Sequence, residues 1–210
     1  LIRMQNSKHL FDFLKLSCTE IILGVNEKVL NDFLHQHRLA LRPDHHEFIL
    51  EYGNSDELLL GYFLNCTYAK FENVYSRFNE ALAGDLPDGT VYFGADWSSE
   101  TLCIESLTGS IFIYNDMEKD LLEYESINAF LFYCFLNALW ARKKFEEVHQ
   151  NIKIEDVEKF FLENEQYYLQ GLDRSHYKYY LNGNMIVELN CIGGIATLSR
   201  GGILDSLIIK

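Results

Sequence analysis

The sequence predicts an α+β protein in which helices pack on one face of a mostly antiparallel sheet. Two observations support this class. Short apolar runs are joined by turn residues, most clearly at Thr108-Gly109 and Asn182-Gly183, and this pattern is typical of antiparallel hairpins. Longer stretches, such as residues 126–148, carry apolar residues at helical spacing and therefore indicate helices with one or two buried faces.

The N-terminal part of the chain is rich in helix signals. Residues 6–16 are predicted to form a first helix, and residues 19–25 a short strand. Asn26 is a typical N-cap, because an Asn side chain accepts hydrogen bonds from the first unpaired N–H groups of a helix. Pro43 suits the first turn of the following helix, and Gly53 suits the position just beyond its end.

The central part combines one helix with several strands. The helix is predicted over residues 68–82 and the first strand over residues 90–93. Residues 101–107 and 110–114 flank Thr108-Gly109 and are predicted to pair as a hairpin. Residues 115–125 are strongly acidic, so we expect a solvated segment there.

The C-terminal part repeats the alternation of helices and strands. A buried helix is predicted from Ser126 to about Val148 and another over residues 155–168, followed by a hairpin of residues 177–181 and 185–189 and a strand over residues 195–198. We divide the chain into an α+β domain of residues 1–150 and an extension of residues 151–210. The extension holds a helix and a β-hairpin, and it either forms its own unit or adds strands to the main sheet.

Composition narrows the possible functions. The chain has 210 residues, of which 48% are hydrophobic, so it can bury a core and we do not expect disorder. Its net charge of −13 repels phosphate backbones, so we expect no nucleic-acid partner. No apolar run reaches about 18 residues, so no membrane span is expected. Five cysteines without a C-x-x-C pair, and a start without signal-peptide features, predict buried thiols in the cytoplasm.

The negative charge is concentrated in one stretch. Residues 85–125 contain ten acidic residues and one basic residue, Lys119, which gives −9 of the total of −13. A field of this sign favours basic partners and speeds their association. A solvated acidic face that serves only solubility is the alternative, and both interpretations stay open.

No motif in the sequence indicates catalysis. His35, His37, His45 and His46 lie close together in the sequence, but their spacing matches no zinc pattern. We interpret them as surface or capping residues. No G-x-S-x-G or phosphate-binding glycine motif is present. We therefore expect a protein that is not an enzyme and that uses no metal or cofactor.

The order of four motifs resembles the SUKH superfamily over residues 26–139. The motifs are Arg42–Ile49 with Tyr52-Gly53, Leu102–Glu105, Thr108–Phe112, and the Phe/Leu-rich helix from Asn128. This superfamily includes immunity proteins of bacterial contact-dependent and polymorphic toxin systems, together with regulators of other kinds. The resemblance implies a SUKH-like α+β fold that binds another protein without chemistry of its own.

The resemblance also implies a partner. An immunity protein binds a toxin domain, and many such toxins are nucleases with basic clefts. A regulatory or scaffolding interaction domain without a toxin is the alternative function. Trp97 is interpreted either as an aromatic anchor of the interface or as a core residue. The candidate partner-binding residues are Asp85, Asp88, Asp96, Trp97, Glu100, Asp116, Glu118, Asp120, Glu123 and Glu125.

Overall fold

A computed structural model describes residues 2–55, 57–60, 65–76, 86–95, 100–115 and 118–208. Within these residues the protein is α+β, as predicted, with two four-stranded antiparallel sheets. The chain divides into two compact units. One unit is formed by residues 19–127, and the other by residues 1–18 together with residues 128–210. This division falls near residue 127, whereas the sequence analysis placed a boundary at residue 150.

The secondary structure of the described residues is as follows. The helices are α1 (Ile2–Ser17), α2 (Glu27–His37), α3 (Pro43–Tyr52), α4 (Glu57–Leu60), α5 (Tyr68–Tyr75), α6 (Ile127–Ala141), α7 (Val157–Asn164) and α8 (Asp205–Ile208). The strands are β1 (Thr90–Ala95), β2 (Thr101–Glu105), β3 (Ile111–Asn115), β4 (Glu118–Tyr124), β5 (Glu147–Lys153), β6 (Tyr177–Asn182), β7 (Met185–Asn190) and β8 (Ile195–Arg200). Short 3₁₀ turns span Thr19–Ile21, Glu165–Tyr167 and Gly202–Leu204.

The residues predicted to begin and end helices do so at α2 and α3. The Asn26 side chain accepts hydrogen bonds from the backbone N–H groups of Lys28 and Val29, which caps α2. Pro43 occupies the first turn of α3, where its missing N–H group has no helical partner to lose. Gly53 follows Tyr52 as the C-cap and donates its N–H to the carbonyl of Ile49.

In the unit of residues 19–127, strands β1 to β4 form a meander in the order β1-β2-β3-β4. Three successive residues of β2, Leu102, Cys103 and Ile104, are buried together with Ile111 of β3, so β2 is covered on both faces. Helices α2, α3 and α5 contribute an aromatic core beside the meander. For example, the ring centroids of Phe48 in α3 and Phe93 in β1 lie 5.1 Å apart.

In the second unit the sheet order is β5-β8-β7-β6, and helices cover both of its faces. On one face Phe160 of α7 packs edge-on against Tyr180, with 5.3 Å between ring centroids. On the other face the indole Nε1 of Trp140 in α6 donates to the Ser199 hydroxyl at 2.7 Å. The Asn182-Gly183 hairpin between β6 and β7 is confirmed, and Gly183 adopts a φ of +60°, a conformation that glycine tolerates best.

The structure differs from the predicted elements at residues 19–25, at residues 115–125 and at the end of the helix predicted over residues 126–148. Residues 19–25 form a 3₁₀ turn and an unpaired segment instead of a strand, because Leu23 and Val25 bond their backbone groups to Asn54 and Leu50 at the end of α3. The acidic segment 115–125 contains strand β4, which pairs with β3.

The predicted helix of residues 126–148 is too long. Helix α6 ends at Ala141, and Lys143 adopts a left-handed φ of +52° in the turn that follows. Strand β5 then begins at Glu147 and pairs with β8. The last turn of the predicted helix 68–82 lies outside the described residues, and α5 itself ends at Tyr75.

Candidate functional site

The residues predicted to bind a partner all lie between positions 85 and 125 of the sequence. Asp85, Asp96, Trp97 and Asp116 lie outside the described residues. The others lie in or beside the meander of the first unit: Asp88, Glu100, Glu118, Asp120, Glu123 and Glu125.

The antiparallel register places these residues at two opposite ends of the meander. One row of paired residues runs from Ala95 through Thr101 and Tyr114 to Lys119. Glu100 directly precedes Thr101, the first residue of β2, and Glu118 begins β4 beside this row. We call this edge the Glu100 end, and it carries Glu100, Glu118 and Asp120.

The other acidic residues belong to the opposite edge. Thr90 pairs with Glu105, and Ser106 donates its N–H to the carbonyl of Gly89, which follows Asp88. The Ser110 hydroxyl contacts the carbonyl of Glu125 at 3.5 Å. We call this edge the Asp88 end, and it carries Asp88, Glu105 and Glu125.

The distance between the two ends decides whether their charges act together. Four residue steps separate Thr101 from Glu105 along β2, which corresponds to about 13 Å. Screening in physiological salt acts over about 8 Å, so the charges at the two ends are largely independent there. The negative charges that the structure describes between residues 86 and 125 therefore do not form one continuous patch.

The Asp88 end is held together by internal contacts. The Arg42 guanidinium donates to the carbonyls of Ser106 and Leu107 at 3.1 and 2.8 Å and pairs with Asp44 at 2.9 Å. The Thr108 hydroxyl donates to the Glu105 carboxylate at 2.6 Å. These contacts fix the β2–β3 turn, which gives this end a structural role.

Strand β4 supplies the remaining acidic side chains. Asp120 is exposed, but Glu123 is only 6% exposed and Tyr124 is completely buried, so the expectation of a solvated segment is wrong for these two residues. The register shifts opposite Asp120 and Glu123, so β4 is an irregular edge strand. Bulges and charges on an edge strand disfavour the addition of a further strand. A partner is therefore expected to contact side chains rather than extend the sheet.

The histidines predicted to lie at the surface do not form a site. The interpretation as a surface or capping residue is wrong for His45, which is 1% exposed. It packs between Phe48, Phe71 and Phe93, and the nearest ring centroid, that of Phe93, lies at 5.5 Å. Burial lowers the pKa of His45 to about 4. Among the residues that the structure describes, no group of three or more His, Cys, Asp or Glu side chains is arranged to hold a metal ion.

A pocket in the second unit was missed by the sequence analysis. It has a volume of about 390 Å³ and lies between α7, the 3₁₀ turn that follows it, and β6. The only sequence signal was the alternation of Lys178 and Tyr180 on one face of the predicted strand. The lining residues are Phe161, Glu165, Tyr168, Gln170, Lys178 and Tyr180.

Polar groups also lie on the face of the second sheet that α6 covers. Glu188 pairs across the strands with Tyr179, which is completely buried and packs against Phe132 of α6. Burial raises the pKa of Glu188 to about 7, although the Arg174 charge acts in the opposite direction. One carboxylate oxygen of Glu188, Oε2, has no hydrogen-bond partner among the described residues.

Comparison of the chain with protein-family models, curated proteins and solved structures finds no match. The resemblance to the SUKH superfamily therefore stays a prediction. None of the described helices is both long enough and apolar enough to cross a membrane. The four cysteines Cys18, Cys66, Cys103 and Cys134 are buried, as predicted, and Cys191 is half-buried.

Proposed function

We propose that this chain is a non-enzymatic immunity protein that binds and neutralises a basic toxin domain, of which a nuclease is the leading example. One observation carries the proposal. The Glu100 end groups Glu100, Glu118 and Asp120 at one edge of a four-stranded sheet. Thr101, next to Glu100, and Lys119, next to Asp120, belong to the hydrogen-bond ladder of the sheet, so the backbone beside these two acidic residues is fixed.

The physical advantage of this arrangement is speed. An immunity protein has to reach its toxin before the toxin reaches its substrate, so its association rate matters. Grouped carboxylates attract a basic cleft over a distance of about one Debye length, and such steering raises association rates by about 10- to 1,000-fold at low salt. A nuclease cleft is built to bind phosphates, so carboxylates are also suitable competitors for it.

The Glu100 end supports this role better than the Asp88 end. At the Asp88 end, contacts of Arg42 with Asp44 and of Thr108 with Glu105 stabilise the fold, although Asp88 and Glu125 themselves are exposed. Asp120 at the Glu100 end is exposed on an edge strand. The proposal places the protein in the cytoplasm, because five free cysteines are typical of a reducing compartment.

Co-expression tests this function directly. The product of the neighbouring gene in the native host is expressed alone and together with this chain, and growth and nucleic-acid integrity are measured. We expect the neighbouring product to be toxic alone and harmless with this chain, and the two purified proteins to form a stable complex. A neighbouring product that is harmless alone, or whose toxicity persists despite this chain, contradicts the proposal. A stable complex with a harmless partner supports the regulatory or scaffolding alternative instead.

A further inference from the structure

The pocket between α7 and β6 has the dimensions and the chemistry of a small-molecule site. Its volume of about 390 Å³ falls within the range of about 300 to 1,000 Å³ that is usual for ligand pockets. All of its lining residues belong to the second unit, so the pocket is independent of the acidic meander. A ligand there would add to the protein-binding function proposed above.

Aromatic rings form the apolar part of the pocket. Phe161 comes from α7, Tyr168 follows the 3₁₀ turn, and Tyr180 lies on β6. Tyr180 is 3% exposed and is held by Phe160 and Tyr168, whose ring centroids lie 5.3 and 5.8 Å from its own. Rings fixed in this way favour a planar aromatic group, which they contact edge-to-face or with offset stacking.

A cation is fixed beside these rings. The Lys178 ammonium lies 4.8 Å from the ring centroid of Tyr168 and 5.7 Å from that of Phe161. Asp173 anchors it at 3.5 Å and also accepts a hydrogen bond from the Tyr168 hydroxyl at 2.6 Å. An ammonium group has three N–H donors, so its contact with Asp173 leaves donors for an anionic group in the pocket.

The pocket lining also contains a negative charge. Glu165 and Gln170 line the pocket and are both exposed, whereas the Lys178 side chain is 38% exposed. A ligand that carries only a negative charge would gain from Lys178 and lose from Glu165. A ligand with both charges gains from Lys178 and avoids this repulsion, because its positive group can lie nearest to Glu165.

From this arrangement we propose that the pocket binds a small aromatic zwitterion, of which an aromatic α-amino acid is the simplest representative. The ring lies among Phe161, Tyr168 and Tyr180. The carboxylate accepts from Lys178, and the ammonium group faces Glu165.

Calorimetric or NMR titration with four probes tests each part of the proposal. The probes are L-phenylalanine, 3-phenylpropionate, which lacks the amine, 2-phenylethylamine, which lacks the carboxylate, and L-alanine, which lacks the ring. We expect saturable binding of L-phenylalanine at millimolar concentration or below, as is usual for a ligand of this size. The second and third probes should bind at least threefold more weakly, and L-alanine should not bind.

Matched variants assign the contacts. Lys178→Met should weaken L-phenylalanine binding at least tenfold, because it removes a charge-assisted hydrogen bond. Glu165→Gln should weaken it about threefold and leave 3-phenylpropionate unaffected or tighter. Lys159→Met removes the same charge from an exposed site on α7 that does not line the pocket, and binding should not change. Thermal unfolding of each variant identifies a loss of fold.

Three results would overturn the proposal. The first is the absence of saturable binding of L-phenylalanine to the wild-type protein. The second is binding that is unchanged in both the folded Lys178→Met protein and the Glu165→Gln protein. Glu165 is exposed, so the second variant remains informative if the first one does not fold. The third is equal binding of L-phenylalanine and 3-phenylpropionate, which would show that the amine makes no contact. None of these results affects the toxin-binding proposal, which is tested by a different partner and a different unit.

Discussion

Replacing Glu188 by Gln should make the second unit more stable at neutral and alkaline pH. Burial on the β-sheet face that α6 covers raises the pKa of Glu188 from its ordinary value of 4.5 to about 7. The folded state therefore holds a proton that the unfolded state releases between these pH values. The contribution of Glu188 to stability is complete below pH 4.5 and is lost as the pH rises through 7. Gln keeps the shape of the side chain and carries no charge to bury.

The size of the effect follows from the same pKa values. A difference of about 2.5 pKa units corresponds to about 3 kcal/mol, since each unit is worth 1.36 kcal/mol. This figure is an upper value, because Glu188 is only half-buried and solvent screens its charge. We therefore expect the free energy of unfolding of Glu188→Gln, minus that of the wild type, to rise by about 2–3 kcal/mol between pH 4.5 and pH 8.

Trp140 provides the assay for this unit. Its indole bonds to Ser199 on β8, so its fluorescence should report the packing of α6 on the sheet. Urea unfolding is followed at several pH values in a Trp97→Phe background, which leaves Trp140 as the only tryptophan of the chain. Glu158→Gln, which removes an exposed glutamate from α7, is the control for the loss of one charge. A stability difference for Glu188→Gln that does not change with pH, or that falls as the pH rises, would refute the reasoning.

Two further substitutions test the first unit. Burial lowers the pKa of His45 from 6.5 to about 4, so the free energy of unfolding of the wild type should fall by about 3 kcal/mol as the pH decreases through this range. His45→Leu should remove this loss, whereas the control variant His46→Ala should keep it. Gly24→Ala should lower the free energy of unfolding by about 1–3 kcal/mol in urea titrations, because its new Cβ would overlap the Leu50 carbonyl oxygen. The Cβ of the control variant Gly193→Ala meets only ordinary contacts, so this variant should lose less than half as much stability. A His45→Leu profile parallel to that of the wild type, or equal costs for the two glycine variants, would contradict these explanations.

Local signals predicted the elements that depend on neighbouring residues. Asn26 and Pro43 act at the starts of α2 and α3, and Gly183 turns between β6 and β7, because caps and tight turns are determined by a few adjacent side chains. Strand β4 was missed because its acidic residues indicated a solvated segment, although it pairs with the neighbouring strand β3. Strand β5 was missed because it is stabilised by a distant partner. Residues 147–153 continue a helical sequence pattern, but their backbone groups pair with β8 about 50 residues later in the chain.

The candidate sites also depend on contacts between distant parts of the chain, which the sequence does not reveal. The acidic residues could be named from the sequence, but their division between two ends follows from the antiparallel order of β1 to β4. Glu123 could not be distinguished from its exposed neighbours, because the bulges that interrupt the regular alternation of β4 depend on its pairing with β3. The pocket was missed because Tyr168, Lys178 and Phe161 become neighbours only when α7 packs on the sheet.

The rate of association with the neighbouring gene product, measured at low and at physiological salt, tests the central claim most directly. Two double variants are compared: Glu100→Lys with Asp120→Lys, and Asp88→Lys with Glu125→Lys. Both change the net charge equally, but they act at opposite ends of the meander. The account predicts that the first pair slows association at least tenfold at low salt. The second pair should change the logarithm of the association rate by less than one-third as much. Equal slowing by the two pairs, or no slowing by the first, would contradict the claim that the Glu100 end is the binding surface.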